Sequence, residues 1–173
     1  MHTITLRPWA IEDASSLQRH ANNKAIANFM TDSFPHPYTL ENAIAFIEFA
    51  NAKNPTHIFA IDLKGEPIGG IGLHPKQDIE RMNAELGYWI AESYWGKGYM
   101  TEAIQKIIPI GFSIFPIHRI YARPFGSNKA SQKVLEKCGF TLEAKISSSL
   151  LKNNVVEDEL IYAIRKTAIP QTD

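Results

Sequence analysis

The chain contains 173 residues, of which 45% are hydrophobic and 21% are charged, and its formal net charge is zero. This composition is ordinary for a globular protein and predicts a single domain over residues 1–173. Zero net charge argues against nonspecific binding to nucleic acid or acidic lipid. The single cysteine, Cys138, excludes an internal disulfide. Because the sequence shows no secretory signal and no apolar run of about 20 residues, we expect a cytoplasmic monomer or homodimer that does not enter a membrane.

The first half of the chain predicts two helices and three strands. Residues 3–7 indicate a short strand, and a helix is expected from Glu12 to about His20, because acidic residues favour a first turn. The segment 22–38 is irregular, and its two prolines place a loop between Phe34 and Tyr38. Apolar spacing predicts a helix over 40–50. Strands over 57–63 and 67–74 then flank a three-residue turn, which indicates a hairpin.

The second half predicts a strand over 83–90, a helix from Tyr99, a strand over 117–123 and a helix from Asn128 that ends at Gly139. Pro109 lies inside the first of these helices, where a proline costs about 3 kcal/mol, so we expect a kink or an early end. Alternating residues over 140–146 and 156–164 predict two final strands. This mixed order favours an α+β three-layer sandwich over a doubly wound parallel sheet.

A glycine-rich turn separates the strand over 83–90 from the helix that begins at Tyr99. Gly96 and Gly98 flank Lys97, and both glycines allow the backbone to approach a ligand closely. The free N–H groups of a first helical turn, together with the positive end of the helix dipole, bind anions and most often phosphate. The sequence therefore predicts a ligand that carries phosphate.

The details of this turn separate the classes of phosphate ligand. The chain has no G-x-x-x-x-G-K-[ST] motif for a nucleoside triphosphate, and the turn lacks the third glycine and the later acidic residue of a dinucleotide site. No acidic residue occurs in the stretch 103–135, which predicts a basic patch that suits a ligand with several phosphates, such as coenzyme A. A chance gap in acidic residues is the alternative. The basic residues of this stretch are Lys106, His118, Arg119, Arg123, Lys129 and Lys133.

Three ordered runs, over residues 6–14, 94–103 and 128–140, resemble the GNAT acetyltransferases, and most closely the group of ribosomal-protein N-terminal acetyltransferases. The resemblance covers nearly the whole chain. It implies a mixed, mostly antiparallel sheet with a splayed central strand pair, and acetyl-CoA as co-substrate without a metal. Trp95 is usual in the ribosomal group, whereas Met100 replaces a small residue. Leu135 stands where many relatives carry a tyrosine that protonates the leaving thiolate.

The resemblance also implies which residues hold acetyl-CoA. Main-chain groups at the end of the strand over 83–90 would bind the pantetheine arm and polarise the thioester carbonyl, and the N–H groups of the turn would bind the pyrophosphate. The side chain of Asn128 would bind the pantetheine arm, and a helix N-cap is the alternative role for Asn128. The residues assigned to the cofactor are Trp89, Ile90, Ala91, Trp95, Gly96, Lys97, Gly98, Tyr99, Met100, Thr101 and Asn128.

Acetyl transfer to an amine requires a base and an acid. Glu85 is the first choice for the base, since alternation places it on one side of its strand with Gly87 and Trp89, and an apolar cleft could raise its pKa. The alternative is that Glu85 pairs with a basic side chain and only shapes the site. Ser131 is the predicted acid, on the same helix face as Asn128; a small packing residue is the alternative.

The acceptor side is expected to involve Phe34 and Tyr38, in a lid, together with His74. A protein N-terminal amine is the acceptor that the resemblance implies. The alternatives are a small amine such as a polyamine or an antibiotic, a noncatalytic acyl-CoA-binding module, and a nucleotide-binding enzyme. An open groove would favour a peptide, and a closed pocket beneath the lid would favour a small molecule. An acidic run at 157–159 would favour any cationic acceptor.

Overall fold

A computed structural model describes residues 3–166, and the two ends of the predicted domain lie outside this range. The strands are β1 (Thr5–Arg7), β2 (Ile58–Leu63), β3 (Glu66–Pro75), β4 (Asn83–Ile90), β5 (Arg119–Ala122), β6 (Thr141–Lys152) and β7 (Val155–Arg165). The helices are α1 (Ala14–Ala21), α2 (Lys24–Ala27), α3 (Leu40–Asn51), α4 (Tyr99–Ile114) and α5 (Lys129–Lys137).

The seven strands within residues 3–166 form one sheet, in the order β1-β2-β3-β4-β5-β7-β6. Every neighbouring pair is antiparallel except β4 and β5, which are parallel. The parallel pairing covers only three residues of each strand and ends where Glu85 pairs with Tyr121. Beyond this point β4 continues to Ile90 without β5 beside it. We call the space between residues 86–90 of β4 and the chain that follows Tyr121 the gap. This register confirms the predicted mixed sheet with a splayed central pair.

Helices cover both faces of the sheet, which confirms the three-layer sandwich. One apolar core joins the sheet to α4 and α5, and includes Leu86, Ile104 and Leu135. A second core joins the opposite face to α1 and α3 and includes Trp89. Alternation along β4 therefore directs even-numbered side chains to the α4–α5 face and odd-numbered ones to the α1–α3 face. Tyr88 packs against the α4–α5 core, as its even number requires.

The two hairpins owe their turns to residues in the left-handed region. Lys64 and Gly65 have φ values of 57° and 86° between β2 and β3, and Asn153 and Asn154 have φ values of 51° and 62° between β6 and β7. Two consecutive positive φ angles suit the two-residue turns whose twist matches that of the strands. The β2–β3 hairpin confirms the prediction, whereas the last hairpin is longer than predicted because β6 continues to Lys152.

Helix α4 continues through Pro109 to Ile114, so an early end at this proline was wrong. Proline removes one hydrogen bond of the helix, but the face of α4 toward the sheet is fully buried at Ile104 and Ile107 before the proline and is buried again at Gly111 after it. Gly111 brings the helix close to the sheet, since a Cβ atom there would lie 2.3 Å from Leu73 Cδ1. Burial of this face outweighs the missing bond.

Candidate active site

The turn between β4 and α4 has the geometry of an anion site. Gly96 and Gly98 have φ values of 72° and 85°, and a Cβ atom added to either would meet nothing within 4 Å. Gly98 is the N-cap of α4, and the first helical bond runs from Glu102 N–H to the Gly98 carbonyl at 3.1 Å. Within residues 3–166, the main-chain N–H groups of 96–101 donate no hydrogen bond. Six consecutive donors are therefore left without a partner at the positive end of a 16-residue helix.

Three side chains hold the turn in place or border it. The Trp95 indole donates to the Ile90 carbonyl at 2.8 Å, which ties the turn to the end of β4. The Lys97 ammonium lies 5.5 Å from the centre of the Tyr94 ring. Met100 is buried in the α4–α5 core. Its side chain is therefore structural, and only its unbonded N–H group is left to contact a ligand.

The basic patch predicted over 103–135 does not form. Because β4 and β5 are parallel, Arg119 at the start of β5 lies at the opposite end of the strands from the glycine turn. Arg119 bonds Glu143, and Arg123 bonds Glu159. Lys106, on α4, bonds Glu102 of the same helix. Residues close in sequence are separated here because α4 carries the chain back to the starting end of β4 before the parallel strand β5 begins.

Main-chain groups of β4 face the gap at alternate residues. The Ala91 N–H bonds the Ile68 carbonyl at 2.8 Å, and the Ala91 carbonyl accepts from Tyr94 N–H at 2.9 Å, so both groups are occupied. The main-chain N–H and C=O groups of Trp89 point to the same side of β4 as those of Ala91, which is the side paired with β3. The N–H groups directed into the gap are therefore those of Tyr88 and Ile90. Of the three residues predicted for the pantetheine arm, this geometry retains Ile90, points to Tyr88 in addition, and does not support Trp89 or Ala91.

Ser131 lies in the first turn of α5 and faces Tyr88 across the gap. Their hydroxyl oxygens are 2.7 Å apart. The Asn128 side chain accepts a hydrogen bond from Ser131 N–H at 3.1 Å, so the capping role considered for Asn128 is the one the structure shows. Desolvation raises the pKa of Tyr88, and the bond to Ser131 opposes this shift. Sequence reasoning missed Tyr88, although alternation along β4 already placed it opposite the side of Glu85.

Glu85 lies at the closed end of the gap, where the pairing of β4 with β5 ends, and its side chain is on the α1–α3 face. Its Oε2 atom accepts hydrogen bonds from Lys76 Nζ at 2.6 Å and from the Tyr121 hydroxyl at 3.4 Å. The bond to Glu85 raises the pKa of Lys76, against the effect of desolvation. The structure thus shows the pairing with a basic side chain that was the alternative for Glu85, and the carboxylate is not in an apolar cleft. Neither Lys76 nor Tyr121 was expected in the site.

His74 pairs with Glu85 across β3 and β4. Its ring borders Gly87, where an added Cβ atom would lie 3.5 Å from His74 Nε2. His74 is exposed by its accessible surface, yet desolvation by neighbouring atoms lowers its pKa, and the negative charge of Glu85 opposes this shift. A neutral imidazole and a carboxylate are thus adjacent on the α1–α3 face, while the Tyr88–Ser131 pair is on the other face. The gap lies between the two pairs.

The lid predicted at Phe34 and Tyr38 covers the α1–α3 face. The Phe34 ring centre is 5.1 Å from that of Tyr38 and 6.1 Å from that of Trp89. Tyr38 is buried, and burial raises its pKa to about 12, so it supports the lid instead of lining an open surface. A cavity of about 250 Å³ begins at Phe34 and is bordered by Lys24, Asn28, Asp32, His36 and Lys152.

The tip of the β6–β7 hairpin bridges this cavity. Lys152 Nζ bonds Asp32 at 2.8 Å, and Asn153 bonds Asn28 at 3.1 Å. The hairpin tip therefore covers one side of the cavity beside Phe34. The acidic run at 157–159 does not line it with free carboxylates, because each of the three side chains has a partner. Glu157 bonds Ser127, Asp158 bonds Lys145 and Glu159 bonds Arg123.

Two further findings concern residues 3–166 as a whole. No group of three or more His, Cys, Asp or Glu side chains there is arranged so that it could hold a metal ion. None of the helices in this range combines the length and apolarity that crossing a membrane requires.

The candidate site consists of an anion-binding turn, a gap with main-chain donors, and titratable pairs on both faces.

Residues 3–141 match the family model described as "Acetyltransferase (GNAT) domain". The chain is 37% identical over 101 residues to the uncharacterized N-acetyltransferase YoaA of Bacillus subtilis (strain 168), and this match spans 58% of the chain and 56% of that relative. It is 31% identical over 143 residues to the uncharacterized N-acetyltransferase p20 of Bacillus licheniformis, across 81% and 80% of the two chains. Identity to the ribosomal-protein-serine acetyltransferase of Escherichia coli (strain K12) is 28% over 106 residues, across 61% and 59%.

Solved structures share the whole fold. The microcin C7 self-immunity acetyltransferase MccE, in complex with acetyl-CoA and AMP, superposes with a TM-score of 0.80 at 28% identity, over 95% of this chain and 93% of that one. A ribosomal L7/L12 α-N-protein acetyltransferase in complex with coenzyme A superposes with a TM-score of 0.83 at 22% identity, over 94% of each chain. The second likeness is one of fold alone. Because the family model matches most of the sequence, the chain belongs to the GNAT family of acetyltransferases.

Proposed function

We propose that the protein transfers the acetyl group of acetyl-CoA directly to a primary amine, without a covalent enzyme intermediate. The observation that carries this proposal is the row of six unbonded N–H groups at 96–101, placed directly beside the gap in the sheet. The turn suits the pyrophosphate, and the gap offers an extended path along β4 for the pantetheine arm. The acetyl-CoA in the complex of MccE agrees with this donor.

Residues of β4, of the glycine turn and of the start of α5 would bind acetyl-CoA. The N–H groups of Tyr88 and Ile90 would bind the pantetheine arm and polarise the thioester carbonyl. Asn128 caps α5 through its Oδ1 atom and would bind the same arm through its amide nitrogen. Lys97 would add charge beside the pyrophosphate. Trp95 would contribute indirectly, by fixing the turn through its bond to Ile90.

Glu85 and His74 would receive the acceptor amine. A neutral amine is needed for attack, so the proton of the ammonium form must be removed. Glu85 remains our proposed base, and it would act through its unbonded Oε1 atom, directly or through a water, while Lys76 holds Oε2. His74 would contribute as a neutral hydrogen-bond acceptor next to Glu85, since its pKa is lowered. Ser131, on the other side of the gap, would protonate the leaving thiolate.

The proposed acceptor is a protein N-terminal amine. The relative from Escherichia coli is a ribosomal-protein-serine acetyltransferase, which supports a peptide that begins with serine. A small amine is the second candidate, because the hairpin tip bridges the cavity next to Phe34 and leaves a volume of about 250 Å³. The name of MccE, a self-immunity acetyltransferase, agrees with a small acceptor. The predicted cytoplasmic location and the monomeric or homodimeric state stay predictions.

Release of free thiol from acetyl-CoA tests the proposal. We would screen a serine-initiated peptide, a polyamine and an amine-bearing antibiotic, with the N-acetylated form of the same peptide as the matched control. We expect thiol release with at least one free amine and none with the blocked peptide. Tight binding of coenzyme A without thiol release in any mixture would favour a noncatalytic module. Displacement of coenzyme A by ATP or NAD would favour a nucleotide-binding enzyme.

A further inference from the structure

Tyr88 is a partly buried titratable group, packed against the α4–α5 core, whose hydroxyl has no role in the chemistry described above. That hydroxyl lies 2.7 Å from Ser131 Oγ, and the bond crosses the gap from β4 to the first turn of α5. The hydroxyl has no other hydrogen bond within the described part of the chain. Buried tyrosines usually find a partner for this group. The partner of the Tyr88 hydroxyl is Ser131, which is the proposed proton donor.

The bond between the two hydroxyls has a preferred direction. A phenol, with an ordinary pKa of about 10, is far more acidic than the alcohol of serine and is the better donor. Tyr88 therefore donates, Ser131 Oγ accepts, and the proton of Ser131 is free to turn into the gap. Desolvation raises the pKa of Tyr88, so the phenol stays protonated at neutral pH. Leu135, one turn further along α5, is fully buried and offers no hydroxyl.

We propose that Tyr88 is a positioning residue that directs the Ser131 hydroxyl proton toward the leaving sulfur. This inference rests on the proposed function and specifies how its proton donor is held. In the step concerned, the bond from the amine nitrogen to the carbonyl carbon has formed. The carbon–sulfur bond then breaks, its electron pair goes to sulfur, and sulfur takes the proton of Ser131. The hydrogen bond from Tyr88 stabilises the serine oxygen until water returns a proton to it.

Single-turnover thiol release at saturating acetyl-CoA and amine tests this role. Loss of a positioned acid lowers a rate by about 100-fold or more, so we expect about that loss for Ser131→Ala and about tenfold for Tyr88→Phe. The double variant should be no more than about threefold slower than Ser131→Ala, because Tyr88 acts only through Ser131. The Kd of coenzyme A should stay within about twofold of the wild-type value in all three variants.

Tyr162→Phe is the matched control. Tyr162 is buried, and its hydroxyl donates to Glu136 on the same helix at 2.9 Å, but it does not reach Ser131. This variant should keep the wild-type rate and match the change in stability of Tyr88→Phe. Ser131→Thr, which leaves Tyr88 unchanged and keeps a hydroxyl, should retain more than a tenth of the rate, and this result does not depend on the folding of Tyr88→Phe.

The inference would be overturned by a wild-type rate for Tyr88→Phe, by a double variant slowed by the product of the two single losses, or by equal losses for Ser131→Thr and Ser131→Ala. A loss for Tyr88→Phe that appears only as weaker binding of coenzyme A would also overturn it, in favour of a packing role. Failure of the proposed function gives a different pattern, because the wild-type protein would then release no thiol with any amine.

Discussion

Replacement of Gly98 by alanine separates the ligand-binding role of the glycine turn from its conformational role. Gly98 has a φ of 85°, and no atom lies within 4 Å of the position that a Cβ would take. The cost to folding is therefore conformational, and a residue other than glycine in this region costs about 1–2 kcal/mol. At about 2–4 °C per kcal/mol for a chain of this size, we expect Tm to fall by about 2–8 °C.

The same change should weaken cofactor binding, for a separate reason. Alanine strains the backbone at Gly98, whose φ is 85°, and relaxation of the turn would redirect the adjacent N–H donors. A hydrogen bond to a charged group is worth about 1.5–3 kcal/mol, so the loss of one such bond raises the Kd of coenzyme A by about 10- to 100-fold. Calorimetric titration measures this Kd, and thermal unfolding measures the stability.

Gly65→Ala is the matched control for this experiment. Gly65, in the β2–β3 hairpin turn, has a φ of 86° and also has nothing within 4 Å of an added Cβ. The hairpin turn lies at the same end of the sheet as the glycine turn, because Gly69 of β3 pairs with Ile90, but β4 separates it from the gap. Gly65→Ala should lose the same stability as Gly98→Ala and keep the wild-type Kd. Equal Kd values in the two variants would refute the assignment of the pyrophosphate to the turn at 96–98.

Three further predictions concern the chemistry and the pH dependence of the site. Glu85→Gln should lower the single-turnover rate by about 100-fold without changing the Kd of coenzyme A, whereas Glu143→Gln, which breaks an ion pair away from the gap, should keep the rate; equal rates would remove Glu85 from the chemistry. Asn128→Ala should cost about 1 kcal/mol as a lost N-cap, while Asn128→Asp keeps the cap and should still weaken coenzyme A binding, and unchanged binding would limit Asn128 to capping. The lowered pKa of His74 means that the unfolded chain takes up its proton first as the pH falls. Stability should therefore decrease below about pH 6.5, and His74→Gln should reduce this decrease in urea unfolding at pH 7.5 and pH 5; identical pH dependence would contradict the desolvation of His74.

Local patterns in the sequence were sufficient for most elements and for the anion turn. Strand β4 lies where the alternation of side chains predicted it, and α4 begins directly after the two glycines, as predicted. Both predictions succeeded because a two-residue repeat and a positive φ depend only on neighbouring residues. Local rules failed where burial competes with them. Pro109 did not end α4, since the helix gains more from its buried face than it loses in one hydrogen bond.

The partners of the site residues could not be predicted from local patterns. Glu85 meets Lys76 and Tyr121, residues that are 9 and 36 positions away, because β3 and β5 flank β4 in the sheet. The basic residues of 103–135 were expected to form one patch, yet the parallel pairing of β5 with β4 sends Arg119 to the far end. These relations depend on strand order, which no local pattern contains.

The glycine turn itself, with its unbonded N–H groups at the start of a helix, was determined by the sequence, because backbone freedom and helix polarity are local properties. The tertiary structure decided what surrounds it. In the folded chain, the pairing of β4 with β5 ends at Glu85, and both main-chain groups of Ala91 are hydrogen-bonded. The Tyr88 hydroxyl lies against Ser131 across the gap. Each of these contacts joins elements that are distant in the chain, and only the packing of helices on both faces of one sheet brings them together.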